Sequence, residues 1–411
     1  MRYILHSDLN NFYASVECLL DESLKGFPVV VCGRIEDRHG VVLAKNMLAK
    51  HYGVKTGMTL LEAKRLAPDL KTCECRHDIY IKYSKAVKKI YREYTDRVES
   101  FGIDEAWLDI SLIANSFSKA QEIANEIRER VKIEIGLTVS IGVSFNKVFA
   151  KLGSDLKKPD AVTVIDNNNY KSLVWPLPVE ELLYVGKSTK NKLNNLTIKT
   201  IGDLALFDKK LLVSHLGKWG EVLYYYARGE DFGEVKLCYQ EDEIKSVGNS
   251  LTYYRDLTNN EDIEALFLLL AESVVSRMKD YGFTYARTIS MSVTTNALET
   301  FSRMVTLSCP TNIATEIAEQ AMKLFTKHFS WSSGLVRGLG LCVSHFTSVE
   351  QISLDNSYTK RKKLEKLEDA VENIRKRFGR NSVNRGIVLK EKKMEELNIR
   401  DDHVVHPKTD L

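Results

Sequence analysis

Residues 100–110, SFGIDEAWLDI, set three acids inside a run that is otherwise aromatic and aliphatic. A regular strand sends neighbouring side chains to opposite faces, so Asp104 and Glu105 could not both serve one site from within it. Gly102 supplies a break, and the spacing predicts a hairpin whose turn lies at or beside the acids, where both side chains can converge. A second apolar strand, RYILHSDL at 2–9, ends in Asp8 and is followed by the polar break DLNN. Two carboxylates about 4 Å apart repel by about 4 kcal/mol at an effective dielectric of roughly 20. A divalent cation is the expected neutraliser, and oxygen donors of this kind suit Mg²⁺. A solvated Asp-Glu turn is the alternative reading. Asp109 shares the face of Glu105 but reads as a structural hydrogen-bonding acid and stays outside the metal site.

The chain has 411 residues, enough for about two to four domains, with 44% hydrophobic and 28% charged residues. Apolar runs such as ALFLLLA at 265–271 fall far short of the roughly 20 residues of a membrane helix, so no membrane partner is expected. The N-terminus MRYILHSDLNN turns polar too early for a secretory signal. Seven scattered cysteines fit reduced thiols and a cytoplasmic location, and the Cys73-x-Cys75 pair lacks the second pair that zinc would need. The net charge of +4 lies wholly in residues 351–411, which hold 15 Lys/Arg against 11 Asp/Glu, while the rest balances at 44 against 44. Any nucleic acid must therefore be held by local faces.

The element order predicts an α+β, multidomain chain. Residues 2–9 and 97–165 read as one β-sheet domain carrying helices, with 10–77 as a small insertion in which TLLEAKRLAP opens on the capping box Thr59-x-x-Glu62. Residues 167–235 read as short helices joined by glycine turns. After the polar linker CYQEDEIK, residues 246–346 run β-α-β-β-α-β. Within them RTISMSVTT alternates Ile289, Met291 and Val293 with Thr288, Ser290, Ser292 and Thr294, so one face is core and the other a row of hydroxyls. A basic helix at 359–378 and a polar end that frays complete the chain.

Three segments in this order, HSDLNNFYASVE, SFGIDEAWLDIS and SIGVSFNKVFAKLGSDLKKP, resemble the Y-family (translesion) DNA polymerases, in the DinB or polymerase IV branch. The resemblance covers roughly residues 1–350. It implies a right-hand polymerase with a ferredoxin-like palm (1–10 and 78–166), small fingers (11–77), a helical thumb (167–235), a linker (236–245) and a β-α-β-β-α-β little finger (246–350), followed by a basic C-terminal helix and tail (351–411). The implied activity is template-directed addition of deoxynucleoside triphosphates to a primer 3′-hydroxyl on primer-template DNA, with low fidelity and no proofreading, by a monomer.

Carried over residue by residue, the resemblance makes Asp8, Asp104 and Glu105 the catalytic ligands of two Mg²⁺ ions, with Mn²⁺ as a substitute and the Leu9 carbonyl as a further ligand. Tyr13 matches the steric gate that leaves no room for a 2′-hydroxyl, with Phe12 as a core residue or base-stacking neighbour. Lys158 matches a lysine that binds the triphosphate. Lys147 and Lys151, one turn apart, fit either a solvated or a functional role. In the fingers helix the family motif Asn-Tyr-Glu-Ala-Arg is replaced by NMLAK. Met47 cannot donate a hydrogen bond, and Lys50 keeps the charge but not the bidentate fork.

The stretch VGKST at 185–189 is not a P-loop, because Glu181 stands where the first glycine should be. It resembles the helix-hairpin-helix of the family thumb, with Gly186, Ser188 and Thr189 as the candidates to hold a DNA phosphate and LGKWGE (216–221) as a possible paired hairpin. In the little finger, Ser246, Gly248, Ser250 and Arg303 match segments that touch DNA backbone. Gln351, Ile352 and Leu354 resemble a sliding-clamp docking peptide over 351–355, with Asp355 where Phe is preferred. A template-independent nucleotide cyclase would share the carboxylates but not the thumb or C-terminal unit. A catalytically impaired DNA-binding polymerase homologue is the remaining alternative.

Overall fold

A computed structural model describes residues 1–33, 40–240, 243–349, 357–397 and 399. The chain divides into two compact units, one essentially residues 1–241 and the other essentially 242–405. No helix among the described residues is long and apolar enough to cross a membrane.

In the first unit the strands are β1 (Ile4–Leu9), β2 (Val29–Cys32), β3 (Val42–Lys45), β4 (Lys71–Glu74), β5 (Val98–Ser100), β6 (Glu105–Asp109), β7 (Val139–Ser144) and β8 (Val162–Ile165). Five of them form one sheet in the order β5-β6-β1-β7-β8, and β3-β2-β4 form a second. Every residue of β1 is buried, as a central strand covered on both faces must be. Gly142 of β7 permits this cover. A Cβ there would stand 1.8 Å from the Ala150 carbonyl of helix Lys147–Leu156, so only glycine lets that helix lie against the sheet. Asn146 caps the helix by accepting from the Phe149 N–H at 2.8 Å.

The small sheet includes β4, parallel to β2, a strand that the sequence reading of 10–77 left out. Cys73 lies in β4 and Cys75 just beyond it, and all seven cysteines are free. Burial pushes the Cys73 and Cys75 thiols up, to about 11 and about 12, which keeps them protonated. The expected capping box is present, with Thr59 and Glu62 satisfying each other's backbone. Residues 170–227 hold a helical cluster around Leu193, Ile201, Leu204 and Leu212. Two of its joints lead into the helices Lys187–Asn195 and Lys218–Ala227.

In the second unit, β9 (Ser246–Leu257), β10 (Tyr285–Thr295), β11 (Thr300–Thr311) and β12 (Val336–Thr347) form an antiparallel sheet in the order β11-β10-β12-β9. Helices Asn260–Asp280 and Ala314–His328 supply the rest of its core. Ile289, Met291 and Val293 are buried against those helices, as their alternation predicts. The C-terminal segment does not simply fray. Helix Ser357–Phe378 runs along the same unit, and Val388, Met394 and Ile399 enter its core. Salt bridges that no periodicity reveals fix it there: Arg375 to Glu272 at 2.9 Å, Arg385 to Glu272 at 2.7 Å and Arg361 to Glu316 at 2.8 Å. The clamp-like residues Gln351, Ile352 and Leu354 lie outside the described residues.

Candidate active site

The acid-bearing run folds as the expected hairpin. β5 and β6 are antiparallel, and Gly102 in the connection has φ +87°, a conformation that side chains resist. The turn is pinned from helix His77–Arg92. Lys88 donates to the Gly102 carbonyl at 3.1 Å, and the Ser84 hydroxyl donates to the Ile103 carbonyl. A further bond runs from the Leu9 N–H to the Asp104 carbonyl at 3.1 Å, which ties the turn to the end of β1.

Asp8 lies directly opposite Glu105 in the β1–β6 register. Residues so paired have Cβ atoms roughly 4.5–5.5 Å apart on one face, so the two carboxylates share a small volume. Asp104 follows on the pinned turn. Trp107, 2% exposed and donating to the Lys147 carbonyl at 2.9 Å, backs that face. Asp109 accepts from the Ser111 N–H at 3.0 Å, a local turn bond in keeping with its structural reading.

The charges are met by lysines. Lys158 Nζ lies 2.7 Å from Asp8 and 2.8 Å from Asp155, and Lys151 Nζ lies 2.7 Å from Glu105. Lys147 holds Glu99 at 2.7 Å. The helix thus presents Lys147 and Lys151 one turn apart, with Lys158 beyond its end, to acids on the sheet. Sequence reasoning left Lys151 undecided and missed His6. Its Nε2 is 3.5 Å from Glu105, and its Nδ1 is 2.8 Å from the Ser154 hydroxyl. The one-turn spacing of Lys147 and Lys151, set against Glu99 on β5 and Glu105 on β6, was the available signal for Lys151.

These partners pull the paired acids apart. Burial pushes Asp8 up to about 7 despite Lys158. Burial would raise Glu105 as well, but His6 and Lys151 outweigh it and hold the carboxyl at about 2. Asp104 is raised by burial and by the charge of Glu105. His6 is lowered by burial. For Lys158, the acids Asp8 and Asp155 outweigh a burial that would lower it, so it is raised.

Among the described residues, no group of three or more His, Cys, Asp or Glu side chains is placed to hold a metal ion as it stands. Lysine ammonium groups lie against Asp8 and Glu105. The donor set itself fits a hard divalent ion, since it consists of adjacent carboxylates already accepting positive charge at oxygen.

Tyr13 is the second residue of helix Phe12–Leu20 and stacks on Tyr80, with ring centroids 4.2 Å apart. Tyr80 donates to the buried Glu17 at 2.6 Å, and Arg76 closes on the same carboxylate. Burial pushes the Tyr13 hydroxyl up to about 12. Phe12 is only 3% exposed and belongs to the core, so of its two expected roles the packing one stands and a nucleotide contact does not. Lys50 is exposed on helix Met47–His51. Lys45, at the end of β3, went unnoticed in the sequence; burial and the neighbouring charge of Lys50 lower its pKa. Asn10 accepts from the Asp160 N–H at 2.8 Å, which holds the loop carrying Lys158 beside Asp8.

In the thumb segment, Gly186 is the N-cap of helix Lys187–Asn195, and both it and Ser188 are exposed, with Thr189 half-buried. In the second unit, Ser250, Gly340, Ser292 and Ser302 form one row across the sheet, and Gly248, Cys342, Ser290 and Met304 the next. Ser246, Gly248 and Ser250 thus share the hydroxyl face. Arg303 pairs with Met291, so register puts it on the opposite face, where its guanidinium lies 5.6 Å from the Phe301 ring centre. The sequence reading offered Arg303 beside Ser246, Gly248 and Ser250 as a DNA contact without assigning it a face, and a period of two sets it on the other face from them.

Residues 7–155 match the impB/mucB/samB family, 244–356 its C-terminal domain, and 181–231 the DNA polymerase-iota thumb domain. A DNA polymerase IV of Acetivibrio thermocellus is 52% identical over 399 residues, covering 96% of this chain and 100% of the relative. DNA polymerase IV 1 of Bacillus subtilis is 37% identical over 394 residues, covering 95% and 94%. A solved Y-family DNA polymerase chimera superposes with a TM-score of 0.73 at 23% identity, covering 84% of this chain and 99% of that one, and shares the fold. The chain belongs to the Y-family of translesion DNA polymerases, in the polymerase IV branch, and is a DNA-directed DNA polymerase.

Proposed function

We propose that this polymerase extends a primer 3′-hydroxyl by two-metal phosphoryl transfer at Asp8, Asp104 and Glu105. The observation that carries the proposal is the β1–β6 register, which sets Asp8 opposite Glu105 beside the pinned Asp104 turn. These carboxylates and the Leu9 carbonyl would hold two Mg²⁺, or Mn²⁺ in its place. When bound, such ions lower the pKa of the primer hydroxyl and neutralise the triphosphate and the departing pyrophosphate.

The chain's own groups do the rest. Lys158, relieved of Asp8, turns its ammonium to a phosphate of the incoming nucleotide. Lys45 and Lys50 present two further charges from the fingers, where Met47 leaves no hydrogen-bond donor. Tyr13, backed by the flat face of Tyr80, stands where a ribose 2′-hydroxyl would go and so selects deoxynucleotides. Gly186, Ser188 and Thr189 hold a DNA phosphate, and Ser246, Gly248 and Ser250 offer a small polar face to the duplex backbone, which positions DNA without reading its sequence. Low fidelity without proofreading, a monomeric state, a cytoplasmic location, the domain bounds given above and clamp docking through Gln351, Ile352 and Leu354 belong to the same reading.

Primer extension with Mg²⁺ tests it. Asp104→Asn is expected to lose at least about 100-fold in turnover, as when a group that stabilises developing charge is removed, while still binding primer-template DNA. Equal extension by both proteins would remove the metal-site assignment. If wild type also fails to extend, the impaired-homologue reading replaces this one. A Tyr13→Ala variant that still rejects ribonucleotides would remove the gate.

A further inference from the structure

Tyr184 has φ +70° at the third position of a turn closed by the Val185 N–H donating to the Leu182 carbonyl at 3.0 Å. Such a turn asks for glycine or asparagine there, because any larger side chain crowds its own backbone. The chain instead carries a large ring and leaves it 51% exposed, so burial does not offset the strain. Strain of this kind persists where function requires it.

The ring is not alone. Trp219, 54% exposed, lies 5.4 Å from it between centroids, with Tyr226 at 6.4 Å. The two exposed rings come from different joints of the helical cluster. One lies three residues before the start of helix Lys187–Asn195, and the other is the second residue of helix Lys218–Ala227. Lys187 and Lys218, at the two helix starts, are both exposed and take part in no ion pair among the described residues. Flat apolar faces flanked by unpaired cations match a polyanion that itself has apolar faces. The match of 181–231 to a polymerase thumb makes DNA, and not an acidic protein, the fitting occupant.

We propose that Tyr184 and Trp219 form an aromatic contact that packs against the deoxyribose and base edges of the DNA strand whose phosphates meet Lys187 and Lys218. The proposal rests on the reading of the thumb segment as a DNA-holding part. The contact adds a term that salt does not screen to a grip otherwise electrostatic.

The test is equilibrium binding of the full chain to a fluorescent primer-template duplex over a range of salt. Tyr184→Gly is expected to weaken binding about 5- to 10-fold, in the range of one lost aromatic stack. Its slope of log affinity against log salt stays unchanged, because no charge is removed. Its melting temperature should not fall, because glycine accepts this backbone conformation. Trp219→Ala should weaken binding similarly and Trp219→Phe should restore it, which a loss of folding in either single variant would not mimic. Lys187→Ala should lower both affinity and slope. If the ring variants bind like wild type while Lys187→Ala is weaker, the aromatic contact is wrong and the thumb reading stands. If Lys187→Ala is also unchanged, DNA does not lie there and both fail.

Discussion

In the palm sheet, Asp8 and Glu105 are each held by the single nitrogen of a lysine, Lys158 and Lys151. Along the C-terminal helix, Glu272 is held by two guanidinium groups, Arg375 and Arg385, and Arg375 also donates twice to the Val383 carbonyl. Both regions bring carboxylates out of water, and both supply cations. A lysine is a compact charge on a flexible stem and can be exchanged for another cation without rebuilding its surroundings. An arginine fork is planar, directional and committed to several acceptors at once. The difference separates acids held by exchangeable point charges from acids held in a directional, multiply bonded seam.

Breaking the seam should have the largest effect on folding. Arg375→Ala strands the Glu272 carboxylate beside a half-exposed Arg385 and should cost about 3 kcal/mol or more of stability, read as a lowered first unfolding transition. Polymerase turnover well below that transition should be unaffected. Breaking the palm pair should show the reverse. Lys158→Ala is expected to raise the apparent Kd for deoxynucleotide about 10-fold, equivalent to about 1.4 kcal/mol, with a loss of thermal stability smaller than that of Arg375→Ala, since Asp8 loses the charge that Lys158 supplies. If Lys158→Ala instead unfolds the protein and leaves nucleotide affinity intact, the two regions are alike and the contrast is lost.

A third prediction uses pH. The folded state raises the carboxyl of Asp8 from an ordinary 3.8 to about 7, so between those values the folded chain holds a proton that the unfolded chain has lost. Stability from this group is fully present below about pH 4 and is lost as pH rises through about 7. Asp8→Asn should therefore melt higher than wild type at pH 8, by roughly 2–4 °C if the gain is about 1 kcal/mol, and equally at pH 4. Glu105 has the opposite sign: held at about 2, it contributes stability that is fully present above its ordinary 4.5 and is lost progressively as pH falls from there through about 2. Glu105→Gln should therefore melt lower than wild type at pH 7. The smallest effect is a control. Lys390 and Glu261 lie 2.6 Å apart but are 61% and 73% exposed, and Lys390→Ala should leave the melting temperature unchanged within error.

Much of this arrangement was legible before any coordinates. Alternation and glycine placement identified the hairpin at 98–109, the capping box at Thr59 and the β-α-β-β-α-β order, because each depends on residues a few positions apart. The segment resemblances located Asp8, Asp104 and Glu105. The pairing of Lys151 with Glu105 was open, because a helical lysine reads the same whether it faces water or a buried acid. The face of Arg303 was open, because strand register is a relation between two strands, and one residue of offset reverses it. The basic helix was expected at 359–378, but the polar end beyond it was taken to fray, because its composition suits solvent as well as it suits a partner rich in glutamate.

The sequence by itself determined which groups the site contains and which local breaks release them from regular strand geometry. It did so because turn, cap and alternation are short-range physics. Only the tertiary structure decided what neutralises the acids. Asp8 and Lys158 are 150 residues apart, and whether their charges meet depends on Gly142 letting one helix lie against one sheet. That contact is a matter of packing distance, which no local pattern encodes.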